Sequence, residues 1–234
     1  MTTEIQAAAE APQAAGRSIP MSLFVFAIFY GGMVTIAGVL GNKQVAMGPL
    51  AVEAGIFAFL MLVVTASATA ELHGRAIANK LVLFGFVPLL FSLALSLLIW
   101  SLPASSEMIQ ERPRDLESIQ NILFSTWRIW LGGIVAYGVS QFLNVTIFSW
   151  LKAREGAGLL WFRGAIAGVL SQIVDTLIFI TVAFYGVFPI GNLLLGQMLA
   201  KVVLSALLVP VVITAMVAIG RKLDEPSAGR PVNG

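Results

Sequence analysis

The chain has 234 residues, of which 58% are hydrophobic and only 11% charged, with a net charge of +2. A soluble domain carries roughly 25% charged residues, so this composition excludes an ordinary water-facing surface and suits one facing lipid. There is no cysteine and only one histidine, His73, which excludes disulfides, thiolate metal sites, cysteine nucleophiles and multi-histidine metal centres. The basic residues are scattered, unlike the clusters that bind nucleic acid.

Residues Met1–Pro20 are rich in Ala, Gln and Glu without an apolar run, which predicts a disordered cytoplasmic leader and not a signal peptide. Six apolar runs follow, at Met21–Gly41, Pro49–Ala70, Leu81–Leu102, Trp127–Leu151, Ala165–Phe188 and Asn192–Ile219. Each approaches the ~20 residues that cross hydrocarbon, and none carries the charged stripe of a soluble bundle helix. The expectation is an all-α membrane protein, one six-helix domain over 21–220 and a cytoplasmic tail at 221–234.

Between the first two spans, Asn42-Lys43-Gln44 reads as a turn, and Glu53 as a side chain one turn inside span two that reaches the interface. Met108–Asn121 reads as a surface loop or a short interfacial helix. Six spans put both termini on one side, which collects nine Lys and Arg against four opposite. By the positive-inside rule both termini are expected in the cytoplasm.

Buried charge carries the functional signal, because an ion at the bilayer centre costs about 2.5–3.5 kcal/mol on insertion scales. Asp175 and Lys201 fall near mid-depth of neighbouring spans, within reach of each other. Such a pair either fixes helix packing or borders a substrate cavity, and the two roles are compatible. Span four holds Ser140-Gln141-Phe142-Leu143-Asn144 and span five Ser171-Gln172-Ile173-Val174-Asp175, offset by 31 residues. Positions i, i+1 and i+4 share one broad helix face. These clusters either join helices by hydrogen bonds or line a cavity; the acid and the large amides favour the cavity.

Glu71 closes span two in Glu71-Leu72-His73-Gly74-Arg75. Gly74 suits a C-cap and Arg75 the negative end of the helix dipole, whereas the glutamate is electrostatically misplaced there. Trp161-Phe162-Arg163 before span five reads by default as an interfacial anchor. No phosphate-binding loop, HExxH or GxSxG is present, so neither ATP hydrolysis nor an intramembrane hydrolase is supported. No metal or cofactor is expected. A carrier of a small polar molecule fits best, with carboxylates and amides at the midplane.

The stretches Ala136–Val145, Leu160–Arg163 and Ser171–Phe179 resemble the queuosine precursor transporter family. Glu71 and Gly74 fall where that family has Asp-x-x-x-Glu-x-Tyr-Gly, and Lys201 with Pro210 suits its last helix. Three positions depart from its pattern: Ser67 for the leading acid, His73 for the tyrosine and Asn144 for the acid of the first Ser-Gln repeat. The resemblance, over Met21–Ile219, implies a multi-pass protein of the inner membrane that imports 7-cyano- or 7-aminomethyl-7-deazaguanine for salvage into tRNA queuosine. The substrate-binding residues expected from it are Glu71, Gln141, Asn144, Trp161, Arg163, Gln172 and Asp175, with Asp175 and Lys201 as charge pair or coupling site. Phe148, Phe179 or Trp161 would cover the base. The alternative is a substrate-capture subunit of an ATP-driven vitamin or purine importer, and the resemblance leaves a homodimer or an energy-coupling module open as partners.

Overall fold

The computed structural model describes residues 19–41, 43–47, 50–124, 127–155, 159–186 and 190–225. Most of the expected leader and of the tail lies outside these residues. The helices are α1 (Met21–Leu40), α2 (Gly55–His73), α3 (Arg75–Ser101), α4 (Ser106–Glu111), α5 (Pro113–Phe124), α6 (Trp127–Glu155), α7 (Leu160–Phe184) and α8 (Gly191–Asp224). Six of them, α1 to α3 and α6 to α8, are long and apolar enough to cross a membrane. With the family assignment below, this is a multi-pass membrane protein.

The most apolar helices hide least. In α3 only 17% of the membrane-length window is buried, and Leu83, Phe84, Val87 and Phe91 point outward. Apolar side chains on that face need no protein cover, because lipid solvates them. The opposite holds for α2, where 72% of the window is buried. Its small residues, from Ala66 through Ser67, Ala68 and Thr69 to Ala70, are all buried, and small side chains let neighbouring backbones approach. The helix is therefore the central post, packed by α1, α3, α6 and α8.

One connection differs from the sequence-based expectation. Between α1 and α2 the chain forms an antiparallel hairpin, β1 (Gln44–Met47) with β2 (Leu50–Glu53), in which Gln44 faces Glu53 and Val45 faces Val52. Thus α2 starts at Gly55, later than Pro49, and Glu53 sits on a strand and not inside a helix. Two short helices, α4 and α5, join α3 to α6. The first is capped by Ser105, whose Oγ accepts from the Met108 amide at 3.2 Å, and the second lays an exposed Arg112–Asp115 pair on the surface.

At the far end from the hairpin, α2 passes into α3 through Gly74 alone. Its φ of +84° lies in the region that only glycine enters cheaply, which explains why one residue suffices to reverse the chain. Here Ser22 joins three helices: its amide and Oγ donate to Asp224 at 2.9 and 2.6 Å, and His73 Nε2 lies 2.7 Å from the Oγ.

Candidate functional site

Helix α7 packs closely against α6 on one side and α8 on the other, and all three helices carry buried polar side chains. Asp175 of α7 is 1% exposed and Lys201 of α8 is 4% exposed. Lys201 Nζ donates to Asp175 Oδ2 at 2.8 Å, and Ser140 Oγ of α6 donates to Oδ1 at 3.0 Å. The ammonium also lies 5.6 Å from the Phe59 ring and 5.8 Å from the Phe179 ring, within the distance at which a ring face attracts a cation. Two charges that would each be costly in oil thus neutralise one another.

This pair borders a hollow. A cavity of about 80 Å3, counted as space open to the centres of water molecules, is lined by Asp175, Lys201, Glu53 and Tyr137 among apolar and aromatic side chains that include Phe59, Trp130 and Phe179. That is room for roughly half a dozen waters at ~10–15 Å3 each. Tyr137 is anchored by donating to the Val82 carbonyl at 2.9 Å and pairs with the Tyr30 hydroxyl at 3.2 Å.

Glu53 is the addition that sequence reasoning missed. Strand β2 carries it onto the cavity, beside Val52, which is fully buried. A short strand whose partner lies three residues away carries no periodic signature of its own, so the acid read as interfacial. Outside the spans but shut in by the hairpin, its carboxyl is raised to about 7 by burial, with Lys201 lowering it and Asp175 raising it further.

The other predicted residues are distributed elsewhere. Asn144 Nδ2 donates to the Val63 carbonyl at 3.2 Å and to Ser67 Oγ at 3.1 Å. Gln141 and Gln172 are buried, yet neither amide has a hydrogen-bond partner among the described residues. An unmet buried polar group costs about 1–3 kcal/mol, so ordered water or a ligand is the expected partner. None of these three lines the cavity.

Glu71, Arg163 and Lys152 form a separate cluster at the Gly74 end. Arg163 Nη2 donates to Glu71 Oε2 at 3.0 Å, and Lys152 Nζ lies 3.2 Å from the same oxygen while donating to the Glu71 carbonyl at 2.6 Å. The glutamate that looked misplaced at a helix C-terminus thus answers two cations, one of them completely buried. Arg163 also stands 5.5 Å from the Phe148 ring. Twelve residues of α7 separate it from Asp175, roughly 18 Å at 1.5 Å per residue. Trp161 is 53% exposed, so its indole faces away from both groups.

Residues 53–215 match the family described as "Putative vitamin uptake transporter". The chain belongs to this family. It is also 36% identical over 121 residues to a protein of Bacillus subtilis (strain 168) named "Probable queuosine precursor transporter". That stretch is 51% of this chain and 50% of the relative, so the similarity spans about half the length of each. No solved structure matches the chain. The matched family region contains both the cavity acids and the Glu71 cluster. A transporter is therefore the family context in which these buried charges sit.

Proposed function

We propose that this chain imports a 7-deazaguanine precursor of queuosine across the inner membrane, for salvage into tRNA. The observation that carries the reading is a buried Asp175–Lys201 pair bordering an aromatic-lined hollow in a membrane bundle. A guanine-like base is flat and presents an N1–H and an exocyclic amine on one edge and a carbonyl oxygen beside them. Carboxylates accept from such donors and an ammonium donates to such a carbonyl. Phe59, Trp130 and Phe179 supply faces for the ring. The name of the Bacillus subtilis relative supports the same cargo.

The excess of Lys and Arg on the Gly74 side supports an orientation with both termini in the cytoplasm and the hairpin outside. In that orientation the cavity lies toward the outer end of the bundle, and the Glu71–Arg163–Lys152 cluster closes the inner end. Gln141, Asn144 and Gln172 lie between helices on the way from one to the other, where their amides suit a passing base better than oil.

The test uses cells that neither make nor import the precursors. They receive this gene, each base is supplied at low concentration, and queuosine in tRNA is measured. Rescue is expected. Absence of rescue by either base, with the protein present in the membrane, would overturn the cargo.

A further inference from the structure

Asp175, one of the two acids that the sequence places among the substrate-binding residues, is already engaged through both oxygens, one with Ser140 and one with Lys201. Glu53 is not. Among the described residues its carboxylate makes no hydrogen bond or ion pair, although it lines the same cavity. The fold makes room for it there: a Cβ on Gly41, at the end of α1, would stand 2.5 Å from a Glu53 oxygen. The titratable groups on the cavity are Glu53 from β2, Tyr137 from α6, Asp175 from α7 and Lys201 from α8. Once Glu53 is ionised, two acids against one ammonium leave one negative charge unbalanced on the cavity.

We infer that Glu53 is a specificity-determining residue that receives a protonated amine on the ligand, so the site prefers an amine-bearing flat base over its uncharged counterpart. This rests on the cargo reading above and goes beyond it, by separating the 7-aminomethyl base from the 7-cyano base. A primary alkylamine keeps its proton well above neutrality, as lysine does at ~10.4, and its arrival brings the cavity to zero net charge. A nitrile brings no charge and leaves Glu53 unanswered. Phe59, Trp130 and Phe179 hold the ring in either case, so the side group alone decides. A hydrogen bond to a charged group is worth about 1.5–3 kcal/mol, which corresponds to a preference of about tenfold or more.

The experiment measures binding of both bases to the full chain, purified in detergent at about pH 8, where lysine-like amines stay protonated. Benzylamine and benzonitrile serve as probes that carry the same two side groups without a guanine edge. The native chain is expected to bind the 7-aminomethyl base about tenfold or more tightly than the 7-cyano base. Glu53→Gln should abolish the preference by weakening only the amine, with the melting temperature close to native. Gly41→Ala, which crowds the carboxylate without removing it, should weaken the amine in the same direction and covers the case in which the glutamine variant does not fold. Equal binding of the two bases by the native chain would overturn the inference, as would an undiminished preference in both variants. If neither base binds but benzylamine does so in a Glu53-dependent way, the cargo reading falls and the amine site stands; if no probe binds, both fall.

Discussion

Replacing Asp175 by Asn removes the counter-charge of Lys201 while barely changing side-chain volume. The ammonium, 4% exposed, then keeps the Phe59 and Phe179 rings, a neutral amide and, across the cavity, the Glu53 carboxyl. Removing one partner of a buried pair costs about 3–5 kcal/mol. At about 2–4 °C per kcal/mol for a chain of this size, the melting temperature should fall by roughly 6–20 °C. The double variant Asp175→Asn with Lys201→Met removes both charges and should recover most of that loss, since an uncharged packing of similar volume is often as stable as a buried pair. Uptake separates the two roles of the pair. If it only fixes helix packing, the double variant regains transport with stability; if it borders the substrate, transport stays lost. Thermal unfolding in detergent and queuosine in tRNA are the two measurements. An Asp175→Asn chain with native melting and native uptake would refute both the energetic argument and the place of Asp175 in the site.

Four further outcomes follow from the geometry. Glu71→Gln leaves the fully buried Arg163 without its carboxylate and should cost about 3–5 kcal/mol, whereas Lys152→Met, whose side chain is 35% exposed, should cost much less; melting temperatures compare the two. Gly85→Ala places a methyl group against the Tyr137 hydroxyl and the Tyr30 ring, an overpacking worth about 1–3 kcal/mol that thermal unfolding would register. Asn144→Asp exchanges an amide that donates to the Val63 carbonyl and Ser67 Oγ for an acceptor facing that carbonyl, with an expected loss of about 1–3 kcal/mol, and Asn144→Asp with Ser67→Ala would not restore it. Because Glu53 is raised to about 7 from 4.5, its contribution to the stability of the empty chain is full below about 4.5 and is lost as pH rises through about 7. The charged form that grows around pH 7 should strengthen binding of an amine-bearing base, and melting temperatures with and without that ligand from about pH 4 to 8 would read both trends.

The six spans were legible because lipid compatibility is a local property: a run of about twenty apolar residues identifies itself without reference to the rest of the chain. Gly74 was legible for the same reason, since a single glycine between two apolar runs needs no distant partner to reverse the backbone. Asp175 and Lys201 stood out as charges inside such runs, and their separation of 26 residues crosses only one connection. Partners far apart were not legible. Glu71 meets Lys152 and Arg163 across 81 and 92 residues, and Asn144 meets Ser67 across 77. The last contact is informative, because Ser67 and Asn144 are both positions at which the chain departs from the family pattern of acids. In space they are one pair, a hydroxyl and an amide bonded to each other at the two positions where the resemblance implies acids.

The Ser-Gln repeat shows the same limit from the other side. Its two copies look alike in sequence, yet Ser140 Oγ bonds to Asp175 across the helix interface while Ser171 Oγ turns back to the Gly168 carbonyl of its own helix. Composition and periodicity determined that the protein lies in a membrane, how many times it can cross, and which side chains are too costly to bury without a purpose. Tertiary structure alone decided that those side chains divide into two groups roughly 18 Å apart along α7, and that a hairpin brings Glu53 to one of them. Burial cost is a property of each residue and can be read one residue at a time, whereas the compensation of that cost belongs to pairs, and pairs form only when the helices pack.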